Sequence, residues 1–147
     1  MSTVNETLIA QKDVKEIHDK NHILICDDDI MFLKIVSDWL RDRYHITAVK
    51  NGPDAVPAAY NEKPDLILLD FEMPGMNGAA VLEALRSDSQ TAEIPVVFLT
   101  GHSERDCVMD CLKLGPNGYM LKSVKRQGMI ASLDNFFETG HWKNIEA

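Results

Sequence analysis

The chain has 147 residues, enough for one domain with a full core, and its 45% hydrophobic and 26% charged residues are ordinary for a globular protein. Lys and Arg number 15 against 23 Asp and Glu, and the formal net charge of −8 repels phosphate backbones, which sets direct nucleic-acid binding aside in favour of a cation or a cationic partner. Cys26, Cys107 and Cys111 are too few and too apolar in setting for a disulfide framework, no apolar run is long enough to span a membrane and no signal peptide is visible, so the expected location is cytoplasmic.

Residues 1–21 are polar and read as a leader, either disordered or a short helix. Thr3 and Glu6 have capping-box spacing, and Ala10, Val14 and Ile17 make a thin apolar stripe. Such an arm is suited to self-association, which leaves a homodimer open. From residue 22 to 139 the chain reads as one domain, with 140–147 as a tail.

Within the domain, Ile23–Cys26 predicts a buried strand, and Phe32, Ile35, Val36, Trp39 and Leu40 recur at helical spacing after it. "HITAVKNG" predicts a short strand and turn. "PDAVPAAYNEK" predicts a helix with Pro53 near its first turn. Pro57 lacks an N–H and crowds the carbonyl four residues back, so this helix is expected to be short, distorted or late in starting. "PDLILLD" is a continuous apolar strand ending in Asp70, and "FEMPGMNG" must be a loop. The helix "AAVLEALRSDS" and the strand "PVVFLTG" follow. "SERDCVMDCLKLG" predicts a helix with Ser103 as N-cap and Gly115 just past its end. "GYMLKS" is a short last strand, and Met129, Leu133, Phe136 and Phe137 mark a closing helix. Trp39 reads as a packing residue and Trp142 as a residue of the tail.

Apolar strands alternating with amphipathic helices imply an α/β fold, a doubly wound parallel sheet with helices on both faces. Ligands of such sheets bind at the carboxyl ends of the strands. Those ends carry Asp27, Asp28, Asp29, Asp70, Thr100 and Lys122. Clustered carboxylates raise one another's pKa or bind a cation, and an all-oxygen set completed by water suits Mg²⁺. A carboxylate beside Mg²⁺ can attack a phosphoryl group and hold it as an acyl phosphate. Lys122, Thr100 and the metal would neutralise the phosphoryl oxygens, and Gly101 leaves room for entry. Taken singly these residues have plainer readings: a helix cap, a turn residue, a solvated lysine. Cys107 and Cys111 share a helix face but lack further ligands nearby, and His18, His22, His45 and His141 show no ligand spacing.

Together, "ILICDDD", "DLILLDFEMPGMNG", "PVVFLTG" and "GYMLKS" resemble the receiver domain of two-component response regulators, of the single-domain, chemotaxis-regulator-like kind, from about Ile23 to Phe137. The resemblance implies a flavodoxin-like five-stranded sheet in order 2-1-3-4-5. It implies Asp70 as phosphoacceptor, charged by a histidine kinase or histidine phosphotransfer protein. Asp27 and Asp28 would hold Mg²⁺ with Asp70, and Glu72 would add its backbone carbonyl. Thr100 and Lys122 would contact the phosphoryl group, and Tyr119 stands where the family has a switch aromatic that moves with Thr100. The face built from the Ser103–Leu114 helix, the last strand and the last helix would carry output to a downstream protein target or effector domain.

The chain departs from the family in places. Ser123 follows Lys122 where a proline, commonly cis, is usual; a cis bond to a non-proline costs about 3–4 kcal/mol, so a trans bond, or a strained cis one, is expected and the aim of Lys122 is in question. Asp29, Glu72 and His102 flank the reaction centre, and "GPNGY" replaces a more acidic loop. Two other functions compete with a phosphorylation-controlled switch, which would assist only its own phosphorylation and dephosphorylation. An aspartate-nucleophile phosphatase would use Glu72 as its second acid but wants a cap, and no insertion offers one. A receiver-like scaffold would bind a partner without phosphorylation. After Phe137 only "ETGHWKNIEA" remains, so the expectation is a single-domain regulator or an excised receiver.

Overall fold

In the computed structural model, residues 20–101 and 105–146 are described, the side chains of 105–107 apart. The N-terminal arm, His102, the Ser103 cap and the Cys107 side chain therefore lie outside the described residues. Five strands, β1 His22–Cys26, β2 His45–Val49, β3 Leu66–Asp70, β4 Val96–Thr100 and β5 Gly118–Leu121, alternate with five helices, α1 Ile30–Leu40, α2 Gly52–Glu62, α3 Gly78–Ser87, α4 Arg105–Lys113 and α5 Arg126–Thr139. The sheet is parallel throughout, in the order β2-β1-β3-β4-β5. This is the expected doubly wound fold.

The sheet divides the core in two, because successive strand residues face opposite sides. Ile23, Ile25, Leu66, Leu68, Val97 and Leu99 point to the side covered by α1 and α5, where Val36, Leu40, Leu133 and Phe136 meet them. Leu24, Cys26, Ile67, Leu69, Val96 and Phe98 point to the side of α2 and α3, against Ala55, Ala59, Val81 and Leu85, with Cys111 of α4. All five residues of β3 and of β4 are buried, as strands covered on both faces must be. Strand β2 is the edge, and its His45 and Ala48 are exposed.

Local chemistry sets the element ends. Asp29, Asn51 and Asn77 cap α1, α2 and α3, each accepting from the amide three residues on. Gly115 has φ +76 just past α4, as its place at the helix end predicts. The expectation for Pro57 needs correction. Helix α2 runs a full 11 residues from Gly52, with Pro57 inside it, so it is neither short nor late. Pro57 is exposed, and the good Asn51 cap and buried Ala55 and Ala59 carry the helix past the one missing amide. In α1 the buried stripe is Leu33, Val36 and Leu40, while Ile35 is 41% exposed and Phe32 and Trp39 are half-buried. The apolar spacing there fits two adjacent faces, and only packing against α5 chooses between them.

The segment after α5 also differs from a free tail. Gly140, at φ +80, turns the chain back, and Trp142 is half-buried against the core.

Candidate functional site

Strand ends β1 and β3 are neighbours, so their terminal acids converge. Ligand oxygens of Asp27, Asp28 and Asp70 lie within 4.8 Å of one another. Asp27 is fully buried and Asp70 only 3% exposed, whereas Asp28 faces solvent. The three consecutive aspartates thus divide their tasks. Asp29 caps α1 through the Phe32 amide at 3.1 Å. Asp27 Oδ1 accepts the Asp29 amide at 2.9 Å and braces the turn. Asp28 is left open at the mouth of the site.

Asp70 is held by its own loop, with Oδ1 accepting the Glu72 amide at 3.2 Å. Burial first, and then the charge of Asp27, push its carboxyl up to about 8. Lys122 opposes this. Its Nζ lies 2.7 Å from Asp27 Oδ2 and 3.8 Å from Asp70 Oδ2. Burial alone would depress the ammonium, but the bond to Asp27 and the charge of Asp70 outweigh it and hold the lysine above its usual value. Asp27 Oδ2 makes no well-directed hydrogen bond, and this ion pair is what neutralises it. A buried carboxylate oxygen in that condition, with two more carboxylates beside it, fits a hard divalent cation.

Thr100 ends β4, is buried, and accepts the Lys122 amide on its carbonyl at 2.8 Å. That bond ties the lysine's turn to the neighbouring strand. The Lys122–Ser123 peptide is trans, since no described peptide bond is cis, and Ser123 is exposed. The Glu72 side chain points to solvent. Tyr119 sits on β5 beside Phe98 and packs into the α2–α3 side of the core, away from the acidic cluster's own contacts. The Cys26 thiol is buried one residue before Asp27 and is pushed up to about 12, by burial and then by Asp27, which makes it inert.

Two residues that matter here were not singled out for the site from sequence. The Lys122 ammonium stands 4.7 Å over the ring of Phe32, within cation–π range. From sequence Phe32 is only one of five apolar residues at helical spacing; its place beside, not in, the Leu33–Val36–Leu40 stripe is the clue. Gly78 opens α3 where a Cβ would come 2.5 Å from the Asp70 carbonyl oxygen and 2.8 Å from the Phe71 Cα. Only a glycine lets α3 start this close to the end of β3, and its amide bonds the Phe71 carbonyl at 3.1 Å.

The chain as a whole is similar to known proteins. Residues 23–134 match the response regulator receiver domain family. The chain is 30% identical over 118 residues to the chemotaxis protein CheY of Pseudomonas aeruginosa, covering 79% of this chain and 95% of that protein. It is 39% identical over 114 residues to the nitrate/nitrite response regulator protein NarL of Escherichia coli, covering 76% of this chain but 52% of NarL. Among solved structures, the chemotaxis protein CheY4 of Vibrio cholerae superposes with a TM-score of 0.73 at 26% identity, covering 79% of this chain and 98% of CheY4. With its sheet order, its acidic strand ends and its sequence all in agreement, the chain belongs to the response regulator receiver domain family.

Proposed function

We propose that this chain is the phosphoacceptor of a two-component phosphorelay, with Asp70 as the acceptor. Response regulators work with histidine kinases and downstream effectors, and the chain's own donor is proposed to be a histidine kinase or a histidine phosphotransfer protein. The observation that carries the reading is Asp70, buried at a strand end between an acidic pair and a lysine.

Asp27, Asp28 and Asp70, with the Glu72 carbonyl, would hold Mg²⁺. When bound, that ion supplies positive charge to the phosphoryl oxygens. The chain's residues do the rest. A carboxylate oxygen of Asp70 attacks phosphorus as the P–N bond to the donor imidazole breaks, and the released nitrogen takes up a proton. Lys122 turns from Asp27 toward the new charge, and the Thr100 hydroxyl donates to a phosphoryl oxygen. The 3.8 Å gap between Lys122 and Asp70 leaves the short movement this requires. Tyr119 then reports the change to the face of α4, β5 and α5. The chain acts as a switch and turns over only its own phosphate.

Beryllofluoride, which mimics an acyl phosphate, tests the site directly by ¹⁹F NMR. A bound resonance that needs Mg²⁺ and vanishes in Asp70→Asn is the expected result. A resonance that persists in Asp70→Asn would place the acceptor elsewhere.

A further inference from the structure

Strand β5 is the second edge of the sheet, and an edge leaves main-chain groups unpaired. Here the segment after α5 takes up one of them. The Trp142 indole N–H donates to the Tyr119 carbonyl at 3.0 Å. Its ring lies directly on Gly118, where a Cβ would come 2.3 Å from Trp142 Cδ1, and within 6.3 Å of the Phe136 ring. Three residues on, the Ile145 amide donates to the Ser132 hydroxyl at 2.9 Å, and Ser132 is buried on α5. Between β5 and α5 lies a groove of about 440 Å³, walled by Tyr119, Val124, Lys125 and Gly128 on the domain side and by Asn144, Ile145 and Glu146 of the returning segment on the other. Residues 141–146 have no regular structure and lie on the domain only through contacts of this kind.

We propose that the β5–α5 face is a docking groove for a short extended segment, and that residues 141–146 are its resident, intramolecular ligand. The groove selects an aromatic residue with a ring N–H, seated on Gly118, and an aliphatic residue three places on, whose amide meets Ser132. A protein partner presenting the same chemistry must first displace this strap. Tethering gives the strap an effective concentration in the millimolar range, so it sets a threshold for output. This rests on the reading that output leaves through the β5 face. Because the strap hangs on the Tyr119 carbonyl, any shift of Tyr119 on phosphorylation changes its hold, and the coupling is reciprocal.

The test uses the full chain and a fluorescein-labelled peptide of residues 140–146. Trp142→Ala empties the seat on Gly118 and removes the strap's aromatic anchor. Gly118→Ala blocks that seat, at a strand position that accepts an L side chain. Peptide anisotropy should rise with Trp142→Ala at concentrations up to about the millimolar range, bind wild type at least about tenfold more weakly, and be lost in the double variant. No binding to Trp142→Ala, equal binding to both proteins, or indifference to Gly118→Ala would overturn the proposal. In a Trp39→Phe background Trp142 emits alone, and Gly118→Ala should make it markedly easier to quench with acrylamide; unchanged quenching would also overturn it. None of these readings needs Asp70 chemistry. A failed beryllofluoride uptake would therefore remove the phosphoacceptor role while leaving the groove standing.

Discussion

Lys122 is a residue with three neighbours competing for one charge: Asp27 at 2.7 Å, Asp70 at 3.8 Å and the Phe32 ring at 4.7 Å. Packing against Phe32 takes a share of its aim. Phe32→Leu keeps the bulk but removes the quadrupole, and should slow phosphorylation by a small acyl phosphate by about 2- to 10-fold, with Phe32→Trp restoring the rate. Asp70 makes a second prediction. Its carboxyl holds a proton to about 8 in the folded chain against an ordinary 3.8. Between those values the folded state binds more protons than the unfolded one, so stability falls as pH rises through the window. Asp70→Asn should therefore stabilise the metal-free protein by roughly 2–4 kcal/mol above pH 8 and hardly at all near pH 4, as read by urea unfolding. Added Mg²⁺ should shrink the difference. The acidic residues were legible from sequence because each ends an apolar run. Phe32 was not, because its partner is far away in the chain and only the fold brings them together.

At the scale of elements, α3 and α2 make opposite predictions. The Gly78 position has main chain on two sides, so Gly78→Ala must push the start of α3 away from β3. It should cost about 1–3 kcal/mol and also slow phosphorylation, because Asp70 moves with its carbonyl. Gly75, at φ +75 with nothing within 4 Å of its Cβ position, is the control. There an alanine strains the left-handed turn and should cost about 1–2 kcal/mol, yet leave phosphorylation unchanged because the site stays in place. Pro57 is an exposed interior helix residue, and Pro57→Ala restores an amide bond within α2. It should raise stability by about 1–2 kcal/mol once the unfolded chain's gain in entropy is subtracted, measured by the urea midpoint at unchanged slope. Gly75 and Gly115 marked turns correctly from sequence, but Gly78, read as the end of a loop, opens α3, and the tolerance of Pro57 did not show there. Whether Pro57 breaks a helix depends on the Asn51 cap and on burial of Ala55 and Ala59, which outweigh one lost bond.

At the scale of the whole molecule, the doubly wound parallel sheet and the position of the site at its strand ends followed from pattern, whereas the strand order came with the family resemblance. Continuous apolar runs need cover on both faces, parallel crossovers are right-handed, and ligand chemistry gathers at the carboxyl ends. The strap did not follow, since "HWKNIE" has no period to read and its contacts are to a glycine, a main-chain carbonyl and a serine hydroxyl. The central claim is that the pocket of Asp27, Asp28, Asp70 and Lys122 takes a phosphoryl group on Asp70. The most direct measurement is the intact mass of the protein after incubation with Mg²⁺ and a small acyl phosphate, beside Asp70→Asn and a sample with the metal chelated. The account predicts the gain of one phosphoryl group in the wild type alone and only with Mg²⁺. No gain in the wild type, with Mg²⁺ shown to bind, would contradict it, as would an equal gain in Asp70→Asn.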